Sequence, residues 1–289
     1  MRPHDHIGWS FAGAAEFTVL AQRFLAEGAA RGEKLIYVAD DPGPAAAAAL
    51  AGVAGTDAVQ VASIADVYGA SGIVDAPRQR ATFASALADA RAGGYTGIRV
   101  AADNTPLVAD EVRLAAWIRW EIAADRFMSE NPVTGLCAFD RDKIDVNRLR
   151  HLATLHPLSS AASPIPQFRV FADGGDLRAE GDIDASVIGH LRLCLEVLPP
   201  RTGVLIDLAA AALRGRKTLA GLGQLCRDGV MITVRGGPAA ISELRASGLP
   251  GTERLIFRNE EPACPAEPAA WRPPASVAGA GTAGALPAR

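Results

Sequence analysis

Short, almost wholly apolar runs at residues 35–39 (LIYVA), 97–101 (GIRVA) and 135–140 (GLCAFD) alternate with longer stretches whose apolar residues recur at helical spacing. A strand that is apolar on both faces must be covered on both, so the pattern predicts an α/β fold in which helices flank a mostly parallel sheet. Helices are expected over 16–31, where Phe17, Leu20, Phe24 and Leu25 form one stripe that closes at Gly32, and over 79–92 and 111–131, with a further strand at 59–64. The small, proline-bearing run SSAASPIP at 159–166 then predicts a linker between a first domain, 1–158, and a second, 167–258. In the second domain a hairpin is expected around Asp173-Gly174-Gly175, followed by helices at 185–197, 219–227 and 238–247 and strands at 204–208, 230–234 and 255–257. The tail, 259–289, is rich in Pro, Ala and Gly with Trp271 as its one aromatic side chain, and is expected to be disordered.

Composition narrows the function classes. Twenty-nine Lys and Arg against 32 Asp and Glu leave no overall positive field for a phosphate backbone, so direct nucleic-acid binding is not expected. The four cysteines (Cys137, Cys194, Cys226, Cys264) contain no C-x-x-C pair, which argues against a finger-type zinc site or a disulfide framework and suits reduced thiols in the cytoplasm. Apolar runs fall short of the roughly 18 to 20 residues of a membrane span, and no signal-peptide core follows the first residues. Neither membrane association nor a cofactor is expected.

Residues 8–15, G-W-S-F-A-G-A-A, have the glycine spacing of a phosphate-binding loop and precede a helix, but Ala14 and Ala15 stand where the lysine and the magnesium-binding hydroxyl would be. Without them the electrostatic part of phosphoryl transfer is missing, so no enzyme is expected. The chain also lacks G-x-S-x-G and H-E-x-x-H. His151 and His156, five apart, would point away from each other on a helix and make a poor metal pair.

The ordered pieces His6-x-x-Trp9, Phe24-Leu-x-Glu-Gly28, Gly32-Glu-Lys-Leu-Ile-Tyr37, Gly94 to Val100, Trp120-Glu121, Leu136 to Asp140 and Leu155-His156-Pro157 resemble a MEDS domain, a sensory domain named from regulators in methanogens and methylotrophs. The resemblance covers residues 1–158 and implies a core similar to RecA/KaiC-type ATPases that has lost its phosphate loop. A ligand of such a sheet sits outside the carboxyl ends of the strands, where Asp40, Asp41, Asp103, Asn104 and Asp140 are expected to gather beside a loop bearing His6 and Trp9. His6 is equally readable as a surface histidine and Trp9 as a core aromatic. Arg99, inside an apolar strand, and Glu121, on a helix flanked by Trp117 and Trp120, need partners if buried; direct pairing with each other, or a shared ligand, is the expectation. Cys137 reads as a small core residue.

The second domain, with Leu177 to Asp184, Val204 to Leu208 and Gly229 to Gly236, is similar to STAS domains, the anti-sigma-factor antagonist fold. The resemblance implies an anti-sigma factor or related regulatory protein as partner. Where that family carries its phosphoacceptor this chain has Gly215-Arg216-Lys217-Thr218, so Arg214, Arg216 and Lys217 replace an anionic switch with a basic one, and Thr218 is either an N-cap or a substitute acceptor. Together these readings make a cytoplasmic regulator that senses a small molecule through one domain and binds a partner through the other. The alternative is a nucleotide-binding module, or a RecA-type ATPase with weak or no turnover.

Overall fold

The computed structural model describes residues 5–53, 59–159, 166–173, 176–208, 215–246 and 253–259. The first unit runs β1 (His6–Phe11), α1 (Gly13–Ala29), β2 (Lys34–Ala39), α2 (Pro44–Leu50), β3 (Gln60–Ser63), α3 (Ile64–Tyr68), α4 (Ala76–Ala92), β4 (Ile98–Asp103), a 3-10 turn (Thr105–Val108), α5 (Glu111–Glu130), β5 (Val133–Asp140), α6 (Val146–Thr154) and β6 (Leu158–Ser159). Its six strands are all parallel, in the order β3-β2-β4-β5-β1-β6. The second unit runs β7 (Phe168–Asp173), β8 (Asp176–Gly181), α7 (Ala185–Val197), β9 (Val204–Asp207), α8 (Arg216–Arg227), β10 (Ile232–Gly236), α9 (Pro238–Ala246) and β11 (Leu255–Asn259). Its sheet is mixed: β7 and β8 are antiparallel, and β8, β9, β10 and β11 follow in parallel. The α/β expectation therefore holds for both units.

Local chemistry fixes the helix starts. The carboxylates of Asp75, Asp110, Asp145 and Asp184 accept from otherwise orphaned backbone N–H groups at the first turns of α4, α5, α6 and α7, at 2.9, 2.8, 3.0 and 2.8 Å for the shortest bond of each. Ser63 and Asp66 cap α3 reciprocally.

Three expectations need correction. Residues 6–11 are not a loop but a central strand, so Gly8 lies inside the sheet and cannot belong to a phosphate loop. It is a glycine for another reason: a Cβ there would lie 2.8 Å from His156 Nδ1. Helix α8 starts at Arg216 rather than 219, and α2 and α6 had no clear counterpart in the periodicity. Ser159, placed in the linker, pairs with Gly8 in β6, while 160–165 and the tail from 260 lie outside the described residues. Among the described residues no helix is long and apolar enough to cross a membrane.

The parallel sheet divides two apolar layers. Ile7, Phe11, Leu35, Tyr37 and Leu136 face α1, whereas Val100, Ala102, Cys137 and Phe139 face α4 and α5. The second layer does not end with the first unit: it continues without a break into Val170, Leu177, Leu191 and Ile206. Helix α5 is what joins them, since it packs on β7 and α7 as well as on its own sheet. Accordingly it buries residues around most of its circumference.

Beside this junction a groove of about 380 Å³ runs between α6 and α7, lined in part by Arg150, His151, Phe168 and His190. The His151 and His190 rings meet edge to face, 5.6 Å between centroids. Burial, reinforced by His151, pushes His190 down to about 4, and its Nε2 has no hydrogen-bond partner among the described residues. The unfolded chain, with the ordinary value of 6.5, thus binds the proton more readily than the folded one. Stability should be full above the unfolded value and fall as pH drops from there towards 4, by at most about 3 kcal/mol from this group. Urea unfolding of the wild type and of His190→Phe across that range should show the pH dependence flattened in the variant; parallel profiles would show that His190 binds its proton equally well in the folded and unfolded states.

Candidate functional site

Among the described residues a buried polar cluster lies between the sheet and α5. His6 begins β1, Cys137 lies on the adjacent β5, Glu121 descends from the middle of α5, and His156 follows α6 and covers Gly8. All four are buried, His156 and Glu121 completely. Glu121 Oε2 lies 3.0 Å from His6 Nε2 and 3.1 Å from His156 Nε2, and His6 Nε2 lies 3.4 Å from Cys137 Sγ. One ligand-type atom from each of the four falls within 4.8 Å of every other.

Electrostatics follow from the burial. Desolvation alone would raise the Glu121 carboxyl, but the facing His156 and His6 rings reverse this and hold it well below the ordinary range. Desolvation likewise works to lower His6, and the surrounding negative groups overcome it, so that its pKa rises well above the usual histidine value. Burial pushes the Cys137 thiol up to about 12, with Glu121 adding to the shift. A thiol that stays neutral at physiological pH leaves Glu121 and Asp125 as the charges that matter for His6.

Each imidazole is oriented from behind. His6 Nδ1 is 3.0 Å from Asp125 Oδ1, and His156 Nδ1 is 2.8 Å from the Leu152 carbonyl oxygen. Since a carbonyl only accepts, His156 Nδ1 carries the proton, and both rings turn Nε2 towards Glu121. Asp125, one helical turn after Glu121, accepts through its other oxygen from the backbone N–H of Ala172 in β7. The cluster is therefore one side chain away from the second sheet. Next to it is an interior cavity of about 30 Å³ whose lining includes Tyr68, Val100, Trp120 and Cys137.

The residues singled out in the sequence divide into three places. His6 and Glu121 are in the cluster. Asp103, Asn104 and Asp140 do gather at the carboxyl ends of the strands: Asp140 Oδ1 accepts from Gly13 N–H at 3.4 Å, burial raises Asp103, and the buried Asn104 amide has no hydrogen-bond partner among the described residues. Asp40 and Asp41 are exposed at the end of β2. His6 does not join this group, because it stands at the opposite, amino end of β1: His6 pairs with Gly135 near the start of β5, and Phe11 with Asp140 at its end. Trp9 packs half-buried in the layer facing α1, opposite His6.

Arg99 and Glu121 are not partners. Arg99 faces α1, where its Nε lies 2.6 Å from Glu33 Oε2 and its guanidinium 4.6 Å above the Phe24 ring. Glu121 is on the other side of the sheet. Cys137, His156 and Asp125 are the site residues that the sequence reading missed. The first two stand inside the very motifs that carry the family resemblance, but no spacing rule links positions 6, 121, 137 and 156.

In the second unit Arg214 lies outside the described residues. Arg216 and Lys217 are exposed at the start of α8. Thr218 is neither N-cap nor accessible acceptor: Gly215 is the cap residue, and Thr218 is buried with 1% exposure. Asp207, ending β9, is held by Arg178 at 2.6 Å and by Arg235.

Compared with models of known families, residues 5–157 match MEDS, the methanogen/methylotroph, DcmR sensory domain. Neither the curated proteins nor the solved structures yield a match. The matched segment begins one residue before His6 and ends one residue after His156, so the buried cluster ties its two ends together.

The separation of Arg99 from Glu121 has a measurable consequence. Arg99→Ala leaves Glu33 buried without its counter-charge and should cost about 3–5 kcal/mol. In double-mutant cycles Arg99 should couple to Glu33 but combine additively with Glu121→Gln, within about 0.5 kcal/mol. Strong coupling across the sheet would contradict this geometry.

Proposed function

The chain belongs to the MEDS family of sensory domains, and on that premise we propose that it is a regulatory sensor whose small-molecule or chemical signal is received at the His6–Glu121–Cys137–His156 cluster and relayed to the second α/β unit. The observation that carries this reading is Asp125, whose two carboxylate oxygens engage His6 on one side and the Ala172 N–H on the other. A change in the charge or position of His6 is thereby felt directly by the backbone of β7.

The second unit is, in this proposal, the output. Its resemblance to STAS domains and the exposed Arg216 and Lys217 support an acidic protein surface as partner, an anti-sigma factor or a related regulator. With Thr218 buried, partner exchange would run without phosphorylation of α8. The setting is the cytoplasm, which suits buried thiols such as Cys137 and Cys194.

A RecA-like ancestry accords with the parallel sheet, but nucleotide binding is disfavoured. The N-terminus of α1, where phosphates would dock, already holds carboxylates: Glu16 Oε2 accepts from Ala12 N–H at 2.8 Å, and Asp140 faces Gly13 N–H. Like charge and a filled donor set both oppose an incoming phosphate. Neither ATP nor GTP should raise the Tm or be hydrolysed, and nucleotide-dependent stabilisation would restore the alternative of a nucleotide-binding module.

The relay is tested by hydrogen exchange on the full chain. Glu121→Gln changes the cluster without touching β7, yet should speed exchange in β7 by about 2- to 30-fold, the range of a 0.5–2 kcal/mol coupling, while β2 stays unchanged. Asp125→Ala should speed β7 as well and make a second change at Glu121 silent there. Exchange in β7 that ignores Glu121→Gln would end the relay proposal.

A further inference from the structure

We propose that His6, Glu121, Cys137 and His156 bind one divalent transition-metal ion of the zinc type, with His6 Nε2, His156 Nε2, Cys137 Sγ and Glu121 Oε2 as four ligands. The distances come first. Bonds of about 2.0–2.3 Å arranged tetrahedrally place neighbouring ligand atoms about 3.3–3.8 Å apart. The three approaches of 3.0, 3.1 and 3.4 Å around Glu121 and His6 need shifts of only a few tenths of an ångström to reach that spacing.

Orientation points the same way. Both imidazoles are held through Nδ1, one by a carboxylate and one by a backbone carbonyl, which is the arrangement that presents Nε2 as a metal ligand. Proximity without alignment is the next observation. His156 Nε2 and both Glu121 oxygens are buried, yet none has an aligned hydrogen-bond partner among the described residues. A cation at the centre would satisfy His156 Nε2 and Glu121 Oε2 at once. Charge also balances, since a divalent ion with one carboxylate and one thiolate is neutral, the least costly state for a site fully removed from water. Two nitrogens and a sulfur select against magnesium and calcium and in favour of zinc, cobalt or a similar ion.

Binding breaks the Cys137 S–H bond and forms a metal–sulfur bond; that proton, and the Nε2 proton of any charged imidazole, leaves to solvent. Metal content is read on the protein itself, so this proposal and the relay to β7 stand or fall separately.

The test is a titration of the full-length, chelator-treated chain with cobalt chloride, followed by zinc chloride. One equivalent of cobalt should bind, giving the intense visible bands of four-coordinate cobalt with a sulfur-to-cobalt charge-transfer band, and zinc should bleach both. At least one proton should be released per ion. Cys137→Ser should lose the charge-transfer band, while Cys194→Ser, a buried thiol outside the cluster, should keep it. Asp125→Asn should weaken binding about 10- to 100-fold, and Gly8→Ala, whose methyl would displace His156, should weaken it at least as much. Failure of the folded wild type to bind cobalt, a weak six-coordinate spectrum, or a charge-transfer band that survives Cys137→Ser would overturn the proposal. The sulfur band of the unaltered protein decides the matter even if a variant fails to fold.

Discussion

A carboxylate with no access to water sets the terms for the rest of this structure. Glu121 is fully buried in the middle of α5, and an isolated charge there would be strongly destabilising. Its compensation is local and comes from distant parts of the chain, His6 at the start of β1 and His156 after α6. For His156 to arrive, the strand beneath it must carry no side chain, which is the role of Gly8. For α5 to lie deep enough, Gly135 must leave room for Met128, whose sulfur would be 2.9 Å from a Cβ at that position. The glycines, the histidines and the helix position are thus one constraint expressed at several residues.

Much of the fold was legible because burial on both faces writes continuous apolar runs. Residues 35–39 and 135–140 fall within β2 and β5, and α7 begins and ends where its periodicity does. Strand β1 escaped because its inward positions are His6, Gly8 and Ser10, a polar and small set that reads as a loop. His6 is polar because it meets Glu121 and Gly8 is small because it makes room for His156, so the feature that hid the strand is the feature that defines the site. The glycine spacing of residues 8–13 then suggested a phosphate loop, although one glycine makes room for a histidine and the other, at φ +70°, turns the chain into α1.

The site was half legible for a related reason. Glu121 and Arg99 both stand out as charges among apolar neighbours, and each does need a buried partner. In a strand that is apolar on both faces, however, nothing in the sequence says which face a given residue takes. Arg99 alternates with Val100 and so turns towards α1 and Glu33, whereas Glu121 approaches the opposite layer. Cys137 and His156 look ordinary singly. Only the parallel register that sets Gly8 beside Cys137, and the return of the chain after α6, bring them within reach of His6.

Helix α5 packs against both units, and this limits how the two can move. Its Trp117 and Trp120 pack with Tyr68, Phe83 and Phe139 of the first unit, while α5 also packs on β7 and α7 of the second. Close-packed interiors shift between discrete arrangements rather than deform smoothly, so an event at Glu121 that moves α5 must be accommodated on both sides at once. Asp125 adds direction to this coupling. It stands one turn from Glu121, and it accepts from the Ala172 N–H on the outermost strand of the second sheet, which among the described residues is paired only with β8. An edge strand held by one ladder and one side-chain carboxylate is the part of the second unit whose backbone depends most on what happens at His6.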